Sequence, residues 1–195
     1  MGDNFELTAT SQDRPGRKEF DYYPTPAWVT QLLLRHYPPI TRWLVEPAAG
    51  DGAICRELNR EGEHMVWGIE IQEKFRDDLD RCCDQFSIAD FFKMAPHISN
   101  ILNDNEFSIV ANPPFSLALE FIKACMNIGA KYIAMLLRID FLGSKKRAAF
   151  HNANPLTQLL VLGQRPSFTG KGTDSYNYAW FVYDKDKAPR APIVI

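Results

Sequence analysis

The chain has 195 residues, of which 46% are hydrophobic and 24% are charged, and its formal net charge is -2. These values are typical of one globular domain and argue against a protein that coats DNA constitutively, although an enzyme that visits DNA needs only a basic stripe. No apolar run approaches the ~20 residues that cross a bilayer, and the polar N-terminus has no signal-peptide pattern, so we expect a cytoplasmic protein with no membrane partner.

The first half of the chain alternates between segments of strand length and segments with a helical pattern. Residues 1–20 are polar and lack apolar periodicity, which predicts a flexible arm. A helix is predicted from Pro26 to just before Pro38. Strands are then predicted at residues 44–45, 65–69 and 87–89, with helices to about residue 60, to about residue 83 and over residues 97–102.

The second half continues this alternation and then departs from it. Strands are predicted at residues 107–110, 132–137, 158–162 and 178–183, with helices over residues 116–128 and to about residue 152. Strand–helix alternation predicts parallel strands with helices on both faces. The last two strands are joined by a loop, which predicts one antiparallel strand. We therefore predict an α/β fold with one domain over residues 21–184 and a C-terminal tail over residues 185–195.

A turn of small residues, Glu46-Pro47-Ala48-Ala49-Gly50-Asp51-Gly52-Ala53, follows the first strand of this sheet. Glycines there let backbone N–H groups approach a ligand closely, and open α/β sheets bind ligands at this edge. Glu70 ends the next strand, where a carboxylate can accept hydrogen bonds from both hydroxyls of a ribose. Together the turn and Glu70 predict a site for NAD or for S-adenosylmethionine.

Two features favour the methyl donor over the dinucleotide. The turn carries the acidic residues Glu46 and Asp51 and lacks the G-x-G-x-x-G order, which suits a cationic sulfonium and an amino group better than a pyrophosphate. The third strand is followed by Asp90-Phe91, whose carboxylate can accept from an adenine amino group while the ring stacks on the base. The sequence therefore predicts S-adenosylmethionine as the cofactor.

Asn112-Pro113-Pro114-Phe115, at the end of the fourth predicted strand, is the strongest functional signal. Two consecutive prolines fix the backbone and remove two N–H donors, which leaves carbonyl groups directed into the site. The Asn112 side-chain carbonyl and the Pro113 carbonyl can accept both hydrogens of an sp² amino group, which raises the electron density on its nitrogen. Phe115 can stack on a planar base. Catalysis would then depend on positioning and electrostatics, without a strong general base.

The cysteines and histidines predict no metal site and no nucleophile. None of Cys55, Cys82, Cys83 and Cys125 forms a C-x-x-C pair, and the four histidines lack H-E-x-x-H or triad spacing. Several basic residues could line a nucleic acid, although each is equally an ordinary surface charge. These residues are Arg14, Arg17, Lys18, Lys145, Lys146, Arg147, Arg165 and Lys171.

These motifs, in this order, resemble those of the class I DNA amino-methyltransferases, whose catalytic motif is Asn-Pro-Pro-Phe or Asn-Pro-Pro-Tyr. The resemblance covers residues 21–184, follows the gamma order of motifs, and implies a methyltransferase domain. It implies a Rossmann-like sheet of seven mostly parallel strands with the last inserted antiparallel. It also implies that the Tyr23-Pro24-Thr25-Pro26 segment contacts the methionine end of S-adenosylmethionine. Phe168, in a loop after the sixth strand, is similar to a second residue that packs on the target base.

The predicted site therefore has a catalytic group and a cofactor-binding group. Catalysis is assigned to Asn112, Pro113, Pro114 and Phe115, and base binding to Phe115 and Phe168. No metal is assigned. The predicted cofactor-binding residues are Tyr23, Thr25, Glu46, Ala48, Gly50, Asp51, Gly52, Glu70, Ile71, Asp90, Phe91 and Asn112.

One departure from the family concerns sequence specificity. Gamma enzymes of restriction systems carry a target-recognition domain after the last catalytic strand, whereas only a short segment rich in Lys, Asp and Pro follows Tyr183 here. No long insertion lies between Phe115 and Arg165. Specificity for a base sequence would therefore be weak, come from loops, or come from a partner subunit.

The expected activity is methylation of an exocyclic amino group of a nucleic-acid base, with adenine N6 in DNA favoured. Adenine in RNA, N4 of cytosine in DNA and the side-chain amide of a protein glutamine are the alternatives. The short arm and Phe115 disfavour the glutamine enzymes, which usually have a helical substrate domain and a tyrosine at the fourth motif position. Two further alternatives are a non-catalytic protein that only binds the cofactor or nucleic acid, and a NAD-dependent enzyme. The intact catalytic motif disfavours the non-catalytic alternative.

Overall fold

The predicted alternation of strands and helices is present in the structure, a computed structural model that describes residues 23–168, 172 and 174–195. The predicted arm, residues 1–20, lies outside this part of the chain. The strands are β1 (Trp43–Glu46), β2 (Met65–Glu70), β3 (Gln85–Ile88), β4 (Phe107–Ala111), β5 (Tyr132–Arg138), β6 (Gln158–Val161), β7 (Tyr178–Asp184) and β8 (Ile193–Val194). The α-helices are α1 (Ala27–His36), α2 (Ala53–Leu58), α3 (Arg76–Asp80), α4 (Phe91–Met94), α5 (Ile98–Ile101), α6 (Ala118–Asn127) and α7 (Lys145–Ala153).

One sheet contains eight strands from the described residues, in the order β3-β2-β1-β4-β5-β7-β6-β8. The five strands from β3 to β5 in this order are parallel to their neighbours. β7 runs antiparallel to both β5 and β6. The predicted mostly parallel sheet with one antiparallel strand is therefore confirmed. The predicted number of seven strands is wrong, because β8 adds to the sheet edge in parallel with β6.

β8 lies in the segment that was predicted as a C-terminal tail, residues 185–195. Ile193 and Val194 are 43% and 73% exposed, so this short strand does not bury an apolar face. Backbone pairing holds it, including a bond at 2.8 Å from the Ile195 N–H to the Val161 carbonyl. A strand that is held only by backbone hydrogen bonds does not require apolar and polar residues to alternate. The sequence therefore had no periodic pattern that predicted β8.

Successive residues of the central strands pack into two apolar cores, one on each face of the sheet. Leu44 and Val66 pack with residues of α1, α2 and α3, whereas Val45 and Trp67 pack with residues of α4, α5 and α6. The prediction of helices on both faces is therefore confirmed. No helix in the described part of the chain combines the length and apolar character that a membrane span requires.

The strand order reverses between β1 and β4, since β2 and β3 lie on one side of β1 while β4 and β5 lie on the other. In an open α/β sheet, ligands bind at such a point, outside the carboxyl ends of the strands. The glycine turn follows β1, Glu70 ends β2, and Asn112 follows β4. The topology therefore brings these three parts of the sequence to the same edge.

Candidate active site

A cleft at this edge encloses about 950 Å³ of space, part of which is open to solvent. Most of the predicted site residues line it, namely Tyr23, Thr25, Glu46, Ala48, Gly50, Asp51, Glu70, Ile71, Asp90, Phe91, Asn112 and Pro114. Four predicted residues lie outside its lining: Gly52, Pro113, Phe115 and Phe168. The lining also includes Gln72, Phe92, Leu117 and Phe121, which no motif predicted.

Glu70 is held in the cleft by two backbone hydrogen bonds. The side chain is only 6% exposed. Its Oε2 accepts from the Gly50 N–H at 2.8 Å, and its Oε1 accepts from the Gln72 N–H at 2.9 Å. A carboxylate offers about four lone-pair sites, so each oxygen can accept one further hydrogen bond. The fixed carboxylate therefore fits the adjacent hydroxyls of a ribose.

The glycine turn needs glycine at two positions, for different reasons. Gly50 adopts φ 53° and directs its N–H to the Glu70 carboxylate. Gly52 adopts φ 76°, and a Cβ atom there would lie 2.3 Å from Cys82 Sγ. Gly52 was predicted to bind the cofactor, but the structure places it against Cys82, where the missing side chain permits close packing of the turn.

The two acidic residues of the turn differ in their environment. Glu46 is 2% exposed, and its Oε2 accepts from the Cys55 N–H at 3.0 Å and from the Cys55 thiol at 2.9 Å. Burial raises the pKa of Glu46 well above its usual range, although the bond from Cys55 opposes the shift. Asp51 instead pairs with the Arg56 guanidinium at 3.2 Å. A cationic ligand group beside Glu46 would favour its ionised form.

Asp90 and Phe91 lie where β3 leads into α4. Asp90 caps that helix, since its Oδ1 accepts from the Phe92 N–H at 2.9 Å. Phe91 lines the cleft but is 3% exposed, and its ring stacks on Phe121 with centroids 5.2 Å apart. Ile71, which is 51% exposed, is the more accessible apolar residue of the lining. The predicted adenine subsite is thus bordered by a rigid aromatic cluster and by one exposed aliphatic side chain.

The amide group of Asn112 is oriented by the segment that precedes α1. Its Nδ2 donates to the Thr25 hydroxyl at 3.0 Å and to the Tyr23 carbonyl at 3.3 Å. Thr25 is 6% exposed, so this contact is shielded from water. Both amide hydrogens have acceptors, which leaves the Asn112 carbonyl oxygen to accept a hydrogen bond from a ligand. The sequence predicted Tyr23 and Thr25 as cofactor contacts and did not predict that they hold Asn112.

Phe115 lies beside the cleft and lines a second, smaller cavity of about 450 Å³, part of which is open to solvent. The Arg138 guanidinium lies 4.9 Å from the centre of the Phe115 ring and 3.7 Å from that of Tyr176. No motif marked Arg138 or Tyr176. The available signal for Arg138 was its position as the cation that ends a buried apolar strand, at the edge where the motifs meet.

Phe168 does not occupy the place predicted for it. Its ring is 7% exposed and packs edge-on against Tyr178 at 5.0 Å and Tyr23 at 6.2 Å between centroids. It belongs to the apolar core on the α1 side of the sheet. Phe168 is therefore a packing residue in this structure, with the Tyr23 and Tyr178 rings against it.

The structure describes only some of the basic residues that were predicted to line a nucleic acid. Arg14, Arg17, Lys18 and Lys171 lie outside the described residues. Arg147 lines the smaller cavity and donates to the Phe141 carbonyl at 2.6 Å, while Arg165 donates to Asn177 Oδ1 at 3.1 Å. Lys145 is exposed at the start of α7. Arg147 and Phe115 thus line the same cavity.

Three cysteines, Cys55, Cys82 and Cys83, cluster near the glycine turn. A hydrogen bond with Cys83 lowers the pKa of the Cys55 thiol. Burial and the Glu46 carboxyl group outweigh that effect and raise this pKa to about 12. Such a thiol is protonated and unreactive at neutral pH. Within the described residues, no group of three or more His, Cys, Asp or Glu side chains could hold a metal ion.

No family model matches this sequence, and no curated protein matches it either. Solved structures do resemble it. A proposed RNA methyltransferase from Pyrococcus horikoshii has a TM-score of 0.64 at 12% identity, over 89% of this chain and 91% of that chain. A predicted O-methyltransferase from Agrobacterium tumefaciens has a TM-score of 0.59 at 15% identity, over 85% of each chain. A Thermoplasma acidophilum protein has a TM-score of 0.58 at 15% identity, over 83% of this chain and 87% of that chain.

These similarities establish the fold. The activity has to be inferred from the residues of the site. The chain has the Rossmann-like α/β fold of methyltransferase structures, with β8 as an additional edge strand. Fold alone does not define a reaction, because function depends on the site that a fold supports.

Proposed function

We propose that this protein transfers a methyl group from S-adenosylmethionine to an exocyclic amino group of a nucleic-acid base, with N6 of adenine in DNA as the favoured target. The oriented amide of Asn112 supports this most strongly. Thr25 and Tyr23 accept from its NH₂ group, which leaves its carbonyl oxygen to accept a hydrogen bond from a ligand. An acceptor at that position, within an Asn-Pro-Pro-Phe motif, suits an amino group as the methyl acceptor.

The cleft has a suitable partner for each polar part of the cofactor. Glu70 would accept from the ribose hydroxyls, and Asp90 would accept from the adenine amino group. Glu46 would face the cationic methionine end, where a positive charge restores its ionised form. When bound, S-adenosylmethionine supplies an electrophilic methyl group and a neutral thioether as the leaving group.

The residues of the chain would contribute positioning and electrostatics. Asn112 Oδ1 and the Pro113 carbonyl would accept the two hydrogens of the target amino group and direct its lone pair to the methyl carbon. The alkylated nitrogen is acidic and releases one proton to solvent, so no strong base is needed. Pre-oriented acceptors of this kind lower the barrier without reorganisation during the reaction.

RNA is the second candidate substrate, and a specific observation favours it. One of the solved structures with this fold is a proposed RNA methyltransferase that covers nearly the same length. Adenine offers the same amino group in RNA as in DNA, so the Asn112 acceptor suits both. An unpaired base in either nucleic acid also avoids the energy needed to extract it from a duplex.

The proposed function is tested by identifying the methylated product. The protein is incubated with methyl-labelled S-adenosylmethionine and, separately, with DNA, RNA and a cell extract, and the products are digested. We expect N6-methyladenine from DNA, with single strands reacting at least as well as duplexes. N6-methyladenine from RNA alone or N4-methylcytosine would change the substrate, and labelled glutamine in protein would overturn the nucleic-acid assignment. Unlabelled products throughout would indicate a binding protein.

A further inference from the structure

The Arg138 side chain lies between two aromatic residues at the mouth of the smaller cavity. Its guanidinium is 4.9 Å from the Phe115 ring centre and 3.7 Å from the Tyr176 ring centre. Its Nε donates to the Tyr178 hydroxyl at 3.3 Å. Tyr176 is 46% exposed, although it is a large aromatic residue. A planar cation therefore rests on the ring that is proposed to stack on the target base.

A base held by Phe115 needs a second surface for its other face. Phe168 does not provide it, because its ring is 7% exposed and is covered by Tyr23 and Tyr178. Arg138 lies near enough to provide it, since its guanidinium is over the Phe115 ring. A guanidinium plane stacks on nucleobases much as an aromatic ring does, and the positive charge strengthens the contact with the π face.

Space for a base is available next to these residues. The smaller cavity, of about 450 Å³, is lined by Phe115, Leu137, Arg138, Asp140, Phe141 and Arg147. Arg138 is a long, flexible side chain, and the exposed ring of Tyr176 can follow it. A movement of the guanidinium away from Phe115 would open a slot between them without a change in the sheet.

We propose that the target base inserts between Phe115 and Arg138, so that Phe115, the base, Arg138 and Tyr176 form one continuous stack. This proposal rests on the proposed function, since the base in the slot is the methyl acceptor. It assigns Arg138 and Tyr176 as substrate-binding residues and specifies an unpaired nucleobase as the ligand. Stacking is tolerant of base identity, because every base has a π face. Discrimination between bases is then left to Asn112.

The test separates stacking from simple charge attraction. Short single-stranded DNA and RNA oligonucleotides with one 2-aminopurine are titrated with wild type, Arg138→Ala, Arg138→Lys, Tyr176→Ala and Tyr176→Phe. Anisotropy reports binding, and quenching of 2-aminopurine reports stacking. Arg81→Ala is the control, because Arg81 is an exposed arginine paired with Asp78 on α3. Circular dichroism and thermal unfolding check that each variant is folded.

We expect Arg138→Ala and Tyr176→Ala to weaken binding by about tenfold to a hundredfold, and Tyr176→Phe and Arg81→Ala to change it by less than about threefold. Arg138→Lys keeps the positive charge and loses the planar guanidinium. Quenching of 2-aminopurine should therefore fall, while the salt dependence of binding is retained. Wild-type quenching of 2-aminopurine in both Arg138→Lys and Tyr176→Ala would contradict the proposed stack. If the wild type methylates nucleic acid in that case, the proposed function stands and only this inference fails. No oligonucleotide binding by wild type would overturn both.

Discussion

At the scale of the residue, the Asn112 amide can support catalysis in only one of its two orientations. The Thr25 hydroxyl and the Tyr23 carbonyl select that orientation by accepting from Nδ2. The motif identified Asn112 from the sequence, because an asparagine between a buried strand and two prolines is a distinctive string. Its orientation could not be predicted, since it depends on residues far away in the chain that only the fold brings near.

Removal of the Thr25 hydroxyl should therefore impair turnover more than cofactor binding. Thr25→Val leaves one amide hydrogen of Asn112 without its acceptor, which costs about 1–3 kcal/mol and corresponds to about a tenfold to a hundredfold loss in kcat. Thr25→Ser retains the hydroxyl and should stay close to wild type. Steady-state kinetics and calorimetry with S-adenosylmethionine distinguish the two effects. Wild-type activity in Thr25→Val would contradict this role of the hydroxyl.

Glu70 should be required for cofactor affinity. Its carboxylate is already fixed by the Gly50 and Gln72 N–H groups, so it can bind ribose hydroxyls without further ordering. Glu70→Ala should weaken binding of S-adenosylmethionine by about 1–3 kcal/mol in calorimetry. Glu63→Ala, which changes an exposed glutamate, is the matched control. Unchanged affinity in Glu70→Ala would remove the cleft as the cofactor site.

Glu46 should make the stability of the ligand-free protein depend on pH. Burial raises its folded-state pKa above the ordinary value of 4.5. The neutral form then stabilises the fold below that pH, and this contribution is lost as the pH rises through the raised pKa. Urea unfolding from a pH of about 4 to about 8 should show Glu46→Gln gaining stability relative to wild type as the pH rises. A difference between the two proteins that stays constant with pH would contradict the shift.

At the scale of the element, most strands and helices were predictable, and the exceptions have physical causes. Strands β4 and β5 bury apolar side chains on both faces, which gives a strong sequence pattern. β8 has exposed side chains, and the four-residue α4 is too short to show helical periodicity. α4 forms because Asp90 caps it, a contact that depends on local geometry and not on an apolar repeat.

Gly52, between β1 and α2, and Gly62, between α2 and β2, form a matched pair for a test of packing. Gly52 and Gly62 both adopt a positive φ, 76° and 67°. A Cβ atom at Gly52 would meet Cys82 Sγ at 2.3 Å, whereas at Gly62 it would meet nothing within 4 Å. Gly52→Ala should thus lower the free energy of unfolding by more than Gly62→Ala does, with the excess on the order of 1–3 kcal/mol. Equal losses in urea unfolding would mean that Cys82 moves aside freely.

At the scale of the whole molecule, the reversal of strand order between β1 and β4 assembles the site. The sequence predicted this edge as the binding edge because the motifs follow strands, and the cleft is lined by most of the residues those motifs contain. The contact of Arg138 with Tyr176 and the burial of Phe168 could not be predicted. Tyr176 meets Arg138 at the end of β5, and Phe168 packs against Tyr178 of β7, and no periodicity encodes that packing.

The measurement that tests the account most directly compares wild type with Asn112→Ala in methyl transfer. Turnover is followed with labelled S-adenosylmethionine on single-stranded DNA, the nucleoside product is identified, and cofactor affinity is measured in parallel. Loss of a fixed group that stabilises the transition state should reduce kcat by at least about a hundredfold, with cofactor affinity near that of wild type. N6-methyladenine from wild type and almost none from the variant is the predicted result. An Asn112→Ala protein that methylates at the wild-type rate would contradict the account.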